Sequence, residues 1–124
     1  MQSIWFAAAA LIAGVTFYVH TFIGGPRVAG PLLADGHLPK ASKWLNYYCW
    51  HIVTILLAAM TLAFASVAMG WASHDIAWLL GGLSLLLSAL SILVAVKGGI
   101  NPLRFPSTSL FASVALMTLA GALS

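Results

Sequence analysis

The amino-acid sequence predicts an all-α integral membrane protein, an antiparallel bundle of four transmembrane helices with both termini on the outer side. Three observations carry that reading. Hydrophobic residues make up 62% of the 124-residue chain and charged residues only 6%. A soluble domain carries about 25% charged residues, so this chain has too little polar surface for an aqueous fold. Four segments, about 3–23, 44–69, 77–96 and 107–123, each supply the roughly 20 mostly apolar residues that a spanning helix needs. Lipid offers the backbone no hydrogen-bond partner, so such segments must cross as helices. Finally, all five Lys and Arg lie in the first and third connections, and none lies in the second.

The opening stretch "MQSIWFAAAALIAGV" has the small residues and apolar run of a signal peptide. It lacks a basic start, and its apolar stretch continues through Phe22 and Ile23, so it reads as a retained first span. The first connection, "GGPRVAGPLLADGHLPKASK", is dense in Gly and Pro, which argues against a long regular helix there. Its "VAGPLLA" portion is apolar enough to lie among lipid headgroups. The second connection, "GWASHDIA", carries only His74 and Asp75. The third, "KGGINPLRFPST", contains Pro106, well placed to start the fourth helix. With Arg27, Lys40, Lys43, Lys97 and Arg104 on one side, the positive-inside rule makes that side cytoplasmic, as in a bacterial inner membrane. Trp5, Trp71 and Trp78 then fall at the outer interface and Trp44 at the inner one. Residues 1–124 read as a single four-helix domain.

Helices in lipid associate through close packing and interhelical hydrogen bonds, so small and weakly polar residues should mark the faces that meet. The first span offers Phe6, Ala9, Ala13, Thr16 and His20. The second offers Tyr47, His51, Thr54, Ala58, Thr61, Ala65 and Ala68. The third has Gly81, Ser84, Ser88, Ser91 and Ala95, and the fourth Thr108, Ala112, Ala115, Thr118 and Ala122. Most of these positions need no explanation beyond packing. Trp50 lies too deep for the interfacial belt and is expected to face lipid or a partner subunit.

The histidines require more. His20 and His51 both fall in the inner half of the membrane, Thr16 and Thr54 lie one turn away on the same stripes, and Tyr47 precedes His51 by one turn. An ionisable residue within a span is a functional-site candidate whose partner must be named. Here the expectation is a buried polar site in which His20 and His51 face each other, supported by Tyr47, Thr16 and Thr54. The two imidazoles are also the candidate ligands for a transition metal or, as axial pair, for a b-type haem. Alternatively the site binds a small amphipathic molecule such as a quinone or lipid, with Arg27, Lys40 and Lys43 holding an anionic headgroup. A purely structural hydrogen-bond pair weighs against all three. His37 and His74, in the connections, are expected to be solvated.

Several functions are disfavoured. The chain has no Glu, and both Asp lie outside the spans, unlike the small multidrug exporters of similar size that depend on a buried glutamate. The single cysteine, Cys49, excludes an internal disulfide and a Cys-x-x-Cys motif. No nucleophile–base–acid set, P-loop or zinc-protease motif is present, so the reading is non-enzymatic. Nucleic-acid binding is excluded as a main role. The leading expectation is therefore a small inner-membrane protein that binds a cofactor, metal or amphipathic ligand at the cytoplasmic side. The alternatives are an accessory or assembly subunit of a larger respiratory or photosynthetic type of membrane complex, and an oligomeric small-solute transporter or channel. Membrane lipids are partners in every case.

Overall fold

The computed structural model describes every residue from Met1 to Ser124, and nearly all of them are helical. The chain begins in α1 (Gln2–Tyr18), winds on without a break into a π-helical segment (Val19–Ala29), and completes this first rod with a short helix, α2 (Gly30–Ala34). A turn over residues 35–39 leads into α3 (Lys40–Ala68). Then follow α4 (His74–Lys97), a 3₁₀ turn at Pro102–Arg104, and α5 (Pro106–Leu123). Four rods, Gln2–Ala34, Lys40–Ala68, His74–Lys97 and Pro106–Leu123, are long and apolar enough to cross a membrane. The protein is an all-α, membrane-integral four-helix bundle.

The first rod corrects the sequence expectation. Its Gly- and Pro-dense part is wound as a helix as far as Ala34, where an irregular connection was expected. Pro breaks an α-helix because it lacks the N–H for the i→i−4 bond and its ring meets the i−4 carbonyl. Here Pro26 sits in a π-helical stretch whose ladder runs to i−5, so its missing donor removes one bond, to the Thr21 carbonyl. Pro31 falls in the first turn of α2, where no donor is needed. The other three rods start and stop within four residues of the expected spans.

The connections are fixed by local chemistry. Gly70 and Gly99, at φ 75° and 68°, supply the left-handed residue that ends α3 and α4. In each case a paired cap forms: Gly70 N–H to Val67 O with Trp71 N–H to Ser66 O, and Gly99 N–H to Val96 O with Ile100 N–H to Ala95 O. Ser73 caps the start of α4 by accepting from the Asp75 N–H. Asp35 accepts from the His37 and Leu38 amides in the turn before α3. Lys43 Nζ donates to the Leu33 carbonyl, tying the start of α3 to the end of α2.

α1 packs extensively against both α3 and α5, and α4 packs against α5, whereas α3 and α4 meet only sparsely. Where helices approach closely, glycine makes it possible. A Cβ at Gly81 would stand 2.5 Å from Thr118 Cγ2, and one at Gly121 would stand 2.9 Å from Phe6 Cε1. Serines join α4 to α5: Ser88 Oγ donates to the Thr108 carbonyl, and Ser91 Oγ bonds to Ser107 Oγ and Thr108 Oγ1, all at 2.7 Å. The expected faces of α1 and α4 are the observed ones, with Phe6, Ala9, Ala13 and Thr16 buried on the first and Gly81, Ser84, Ser88, Ser91 and Ala95 on the second. On α3 the buried row is instead Leu57, Met60, Phe64 and Val67, and on α5 it is Thr108, Phe111, Val114, Thr118 and Gly121. The small residues of α1 are the reason. Ala9 and Ala13 leave room that large side chains of α3 fill, so size complementarity, not smallness, selects the α3 face.

Candidate functional site

At the end of the bundle that carries the basic residues, α1 hands over to the π segment, α3 leans away from α4, and α5 begins. Between them lies a half-open cavity of about 490 Å³, within the range of about 300–1,000 Å³ usual for ligand sites. Its walls are mostly apolar, from Val19 and Ile23 on the first rod, Val53 and Leu57 on α3, and Leu110 and Phe111 on α5. Its polar side chains are Thr16, His20, Arg27, Arg104 and Ser107. His20, Gly24 and Arg27, spaced i, i+4 and i+7 on the π-helical segment, share this one lining.

His20 is anchored to α3 by two kinds of contact. Its ring stacks on Trp50, and its Nε2 lies 3.1 Å from both the Trp50 carbonyl and Thr54 Oγ1. A carbonyl can only accept, so Nε2 carries the proton and donates, and in the neutral ring Nδ1 remains an acceptor. Nδ1 makes no hydrogen bond within the protein. The Thr54 hydroxyl donates to the Trp50 carbonyl at 3.2 Å, and Thr16 Oγ1 donates to the Ile12 carbonyl at 2.7 Å. Trp50 therefore faces inward and lines the cavity, contrary to the expectation that it meets lipid or a partner. The close approach is possible because residue 24 is glycine, whose missing Cβ leaves room for the indole.

Of the expected residues, His20 bonds to Thr54 and Thr16 lines the same cavity, whereas His51 makes no hydrogen bond to His20. His51 is exposed on another face of α3, with its ring edge-on to Tyr47 at a centroid distance of 4.5 Å. Tyr47 in turn meets Trp44, so these three rings form a ladder along that face. The cause is the rotation of α3 that buries Leu57, Met60 and Phe64: it carries Trp50 and Thr54 inward and Tyr47 and His51 aside. His20 and His51, the expected pair of ligands, are not joined by a hydrogen bond. No group of three or more His, Cys, Asp or Glu side chains converges anywhere. Cys49 is exposed. His74 begins α4 and rests 5.3 Å from the Phe6 ring, at the opposite end of the bundle.

The basic residues also divide differently from the expectation. Arg27 lines the cavity, Lys43 is engaged by the Leu33 carbonyl, and Lys40 is exposed outside the cavity. Arg104, from the third connection, joins Arg27 instead. Neither arginine has an acidic partner, because Asp35 is occupied in its own turn and Asp75 lies at the far end. Arg104, Trp50 and Gly24 were missed by sequence reasoning. The signal for Arg104 was present: consecutive antiparallel helices return the third connection to the same end as the first. Comparison with known proteins finds no matching family model, no matching curated protein and no matching solved structure.

Proposed function

We propose that this protein is a membrane-resident binder of an amphiphile with an anionic head group, carboxylate or phosphate, held in the cavity at the basic end of the bundle. The observation that carries the reading is the pair Arg27 and Arg104 on the lining of a mostly apolar cavity, with no carboxylate to neutralise either. Guanidinium groups recognise carboxylate and phosphate through paired N–H donors, and both arginines are exposed and free to turn toward such a group. The aliphatic walls suit the apolar body of the same molecule. The site lies on the cytoplasmic side of a bacterial inner membrane in this reading, which rests on the five basic residues sharing one end.

The test is a titration of the purified, detergent-solubilised protein with hexadecanoic acid, hexadecyl phosphate and hexadecanol, followed by native mass spectrometry. Both anions bind and the alcohol binds far more weakly. Arg27→Gln and Arg104→Gln each reduce anion affinity by roughly tenfold or more, as expected for loss of a charge-assisted bond of about 1.5–3 kcal/mol. Equal binding of all three ligands, or arginine variants indistinguishable from wild type, removes the reading.

A further inference from the structure

Beside the cavity, between α3, α4 and the start of α5, runs a second and almost wholly apolar hollow of about 270 Å³. Val53, Phe105, Ser107 and Phe111 line both spaces, so the two adjoin along these side chains. Leu56 completes the α3 side of the hollow, and Leu87, Leu90 and Val94 form its α4 side. Its two hydroxyls, Ser91 and Ser107, bond to each other and offer nothing to a polar solute. Leu90 and Val94 are more than half exposed, at 54% and 52%, so the outer margin of the hollow opens onto the lipid-facing surface. The opening exists because α3 and α4 are joined by a short turn at the other end and meet only sparsely along their length.

We infer that the ligand of the basic cavity is a single-tailed amphiphile that enters sideways from the bilayer, with its hydrocarbon tail lying in the hollow between α3 and α4. The inference rests on the anion-binding reading of the cavity and adds the shape of the ligand and its route. Charge separates the two spaces in the required order: arginines line one and only apolar groups are presented in the other. The hollow, at about 270 Å³, is the smaller of the two spaces and open along one margin, which suits one extended alkyl chain.

The experiment compares hexadecanoic with octanoic acid on wild type, Leu90→Trp and Arg104→Gln, again in detergent. Leu90 is half exposed, so an indole there fills the hollow without entering the core. Leu90→Trp weakens hexadecanoic acid tenfold or more and leaves octanoic acid unchanged, whereas Arg104→Gln weakens both. As a second measurement on unaltered protein, a hexadecanoic acid bearing a mid-chain diazirine cross-links to residues 87–94 on illumination. If Leu90→Trp changes neither acid, or both equally, and cross-links fall elsewhere while Arg104→Gln still weakens binding, the tail route is wrong and the cavity reading stands. If Arg104→Gln affects neither acid, the cavity reading fails and this inference fails with it.

Discussion

The imidazole of His20 stacks on the indole of Trp50, with ring centroids 4.0 Å apart and planes 20° from parallel. The same tryptophan accepts a hydrogen bond from His20 through its backbone carbonyl, so one residue of α3 holds the histidine by ring and by main chain. Together these contacts set the depth at which the π segment meets α3, and hence where the cavity floor lies. Gly24 completes the arrangement, since a Cβ there would stand 3.0 Å from Trp50 Cη2 and 3.3 Å from Cζ2.

Gly24→Ala should therefore destabilise the protein although alanine is the better helix former. The propensity gain is about 0.5–1 kcal/mol, and displacing a stacked indole costs about 1–3 kcal/mol, so a net loss near 1 kcal/mol is expected. Gly25→Ala meets nothing within 4 Å and should be neutral or slightly stabilising. Thermal unfolding of the two variants in detergent checks the contrast. Equal behaviour would mean that the indole yields freely and does not hold His20 in place.

The clasp between α4 and α5 makes a second prediction. Ser91 Oγ reaches both Ser107 Oγ and Thr108 Oγ1 at 2.7 Å, and each such bond within a membrane bundle contributes about 0.6 kcal/mol, at most about 1.7. Ser91→Ala, which loses both bonds, should lower stability by about 1 kcal/mol and Thr108→Val, which loses one, by about 0.6 kcal/mol. The double variant should lose less than the sum of the two. Strict additivity in that cycle would show the hydroxyls to be independent of one another.

How far the sequence reached differs from helix to helix. The small-residue rule picked the buried faces of α1 and α4 because those helices carry the small residues at their contacts, as Ala9, Ala13, Gly81 and Ser88 show. The rule misplaced α3 because a helix lying against alanines turns large side chains inward, and nothing in apolarity alone separates an inner Leu57 from an outer Leu62 when the solvent is lipid. For that reason His20 bonds directly to Thr54, at the edge of both stripes, and not to His51. The π winding was not legible either, since Gly24, Gly25 and Pro26 read locally as a helix stop.

The proposed orientation rests on charge and can be tested with cysteines. In a Cys49→Ser background, His37→Cys and Trp71→Cys lie in connections at opposite ends of the bundle, both well exposed. A membrane-impermeant maleimide applied to intact cells should label the cysteine at position 71 and not the one at 37, and disrupting the cells should expose both. The reverse pattern would place the five basic residues outside, against the positive-inside rule.

The last prediction concerns Thr21. The hydroxyls of Thr16, Thr54, Thr61 and Thr118 all donate to the carbonyl four residues earlier, the ordinary solution for threonine in an apolar helix. Thr21 lies in the π-helical segment, where the winding shifts that carbonyl, and its Oγ1 is buried with no hydrogen-bond partner. A buried hydroxyl left unpaired costs about 1–3 kcal/mol, and valine has the same shape without the polar atom. Thr21→Val should therefore stabilise the protein by about 1 kcal/mol, whereas Thr16→Val, which removes a 2.7 Å bond to Ile12, should cost up to about 1 kcal/mol. Unfolding midpoints of the two variants should thus move in opposite directions. Losses of equal size would mean that the Thr21 hydroxyl has a partner after all, and that the π winding does not strand it.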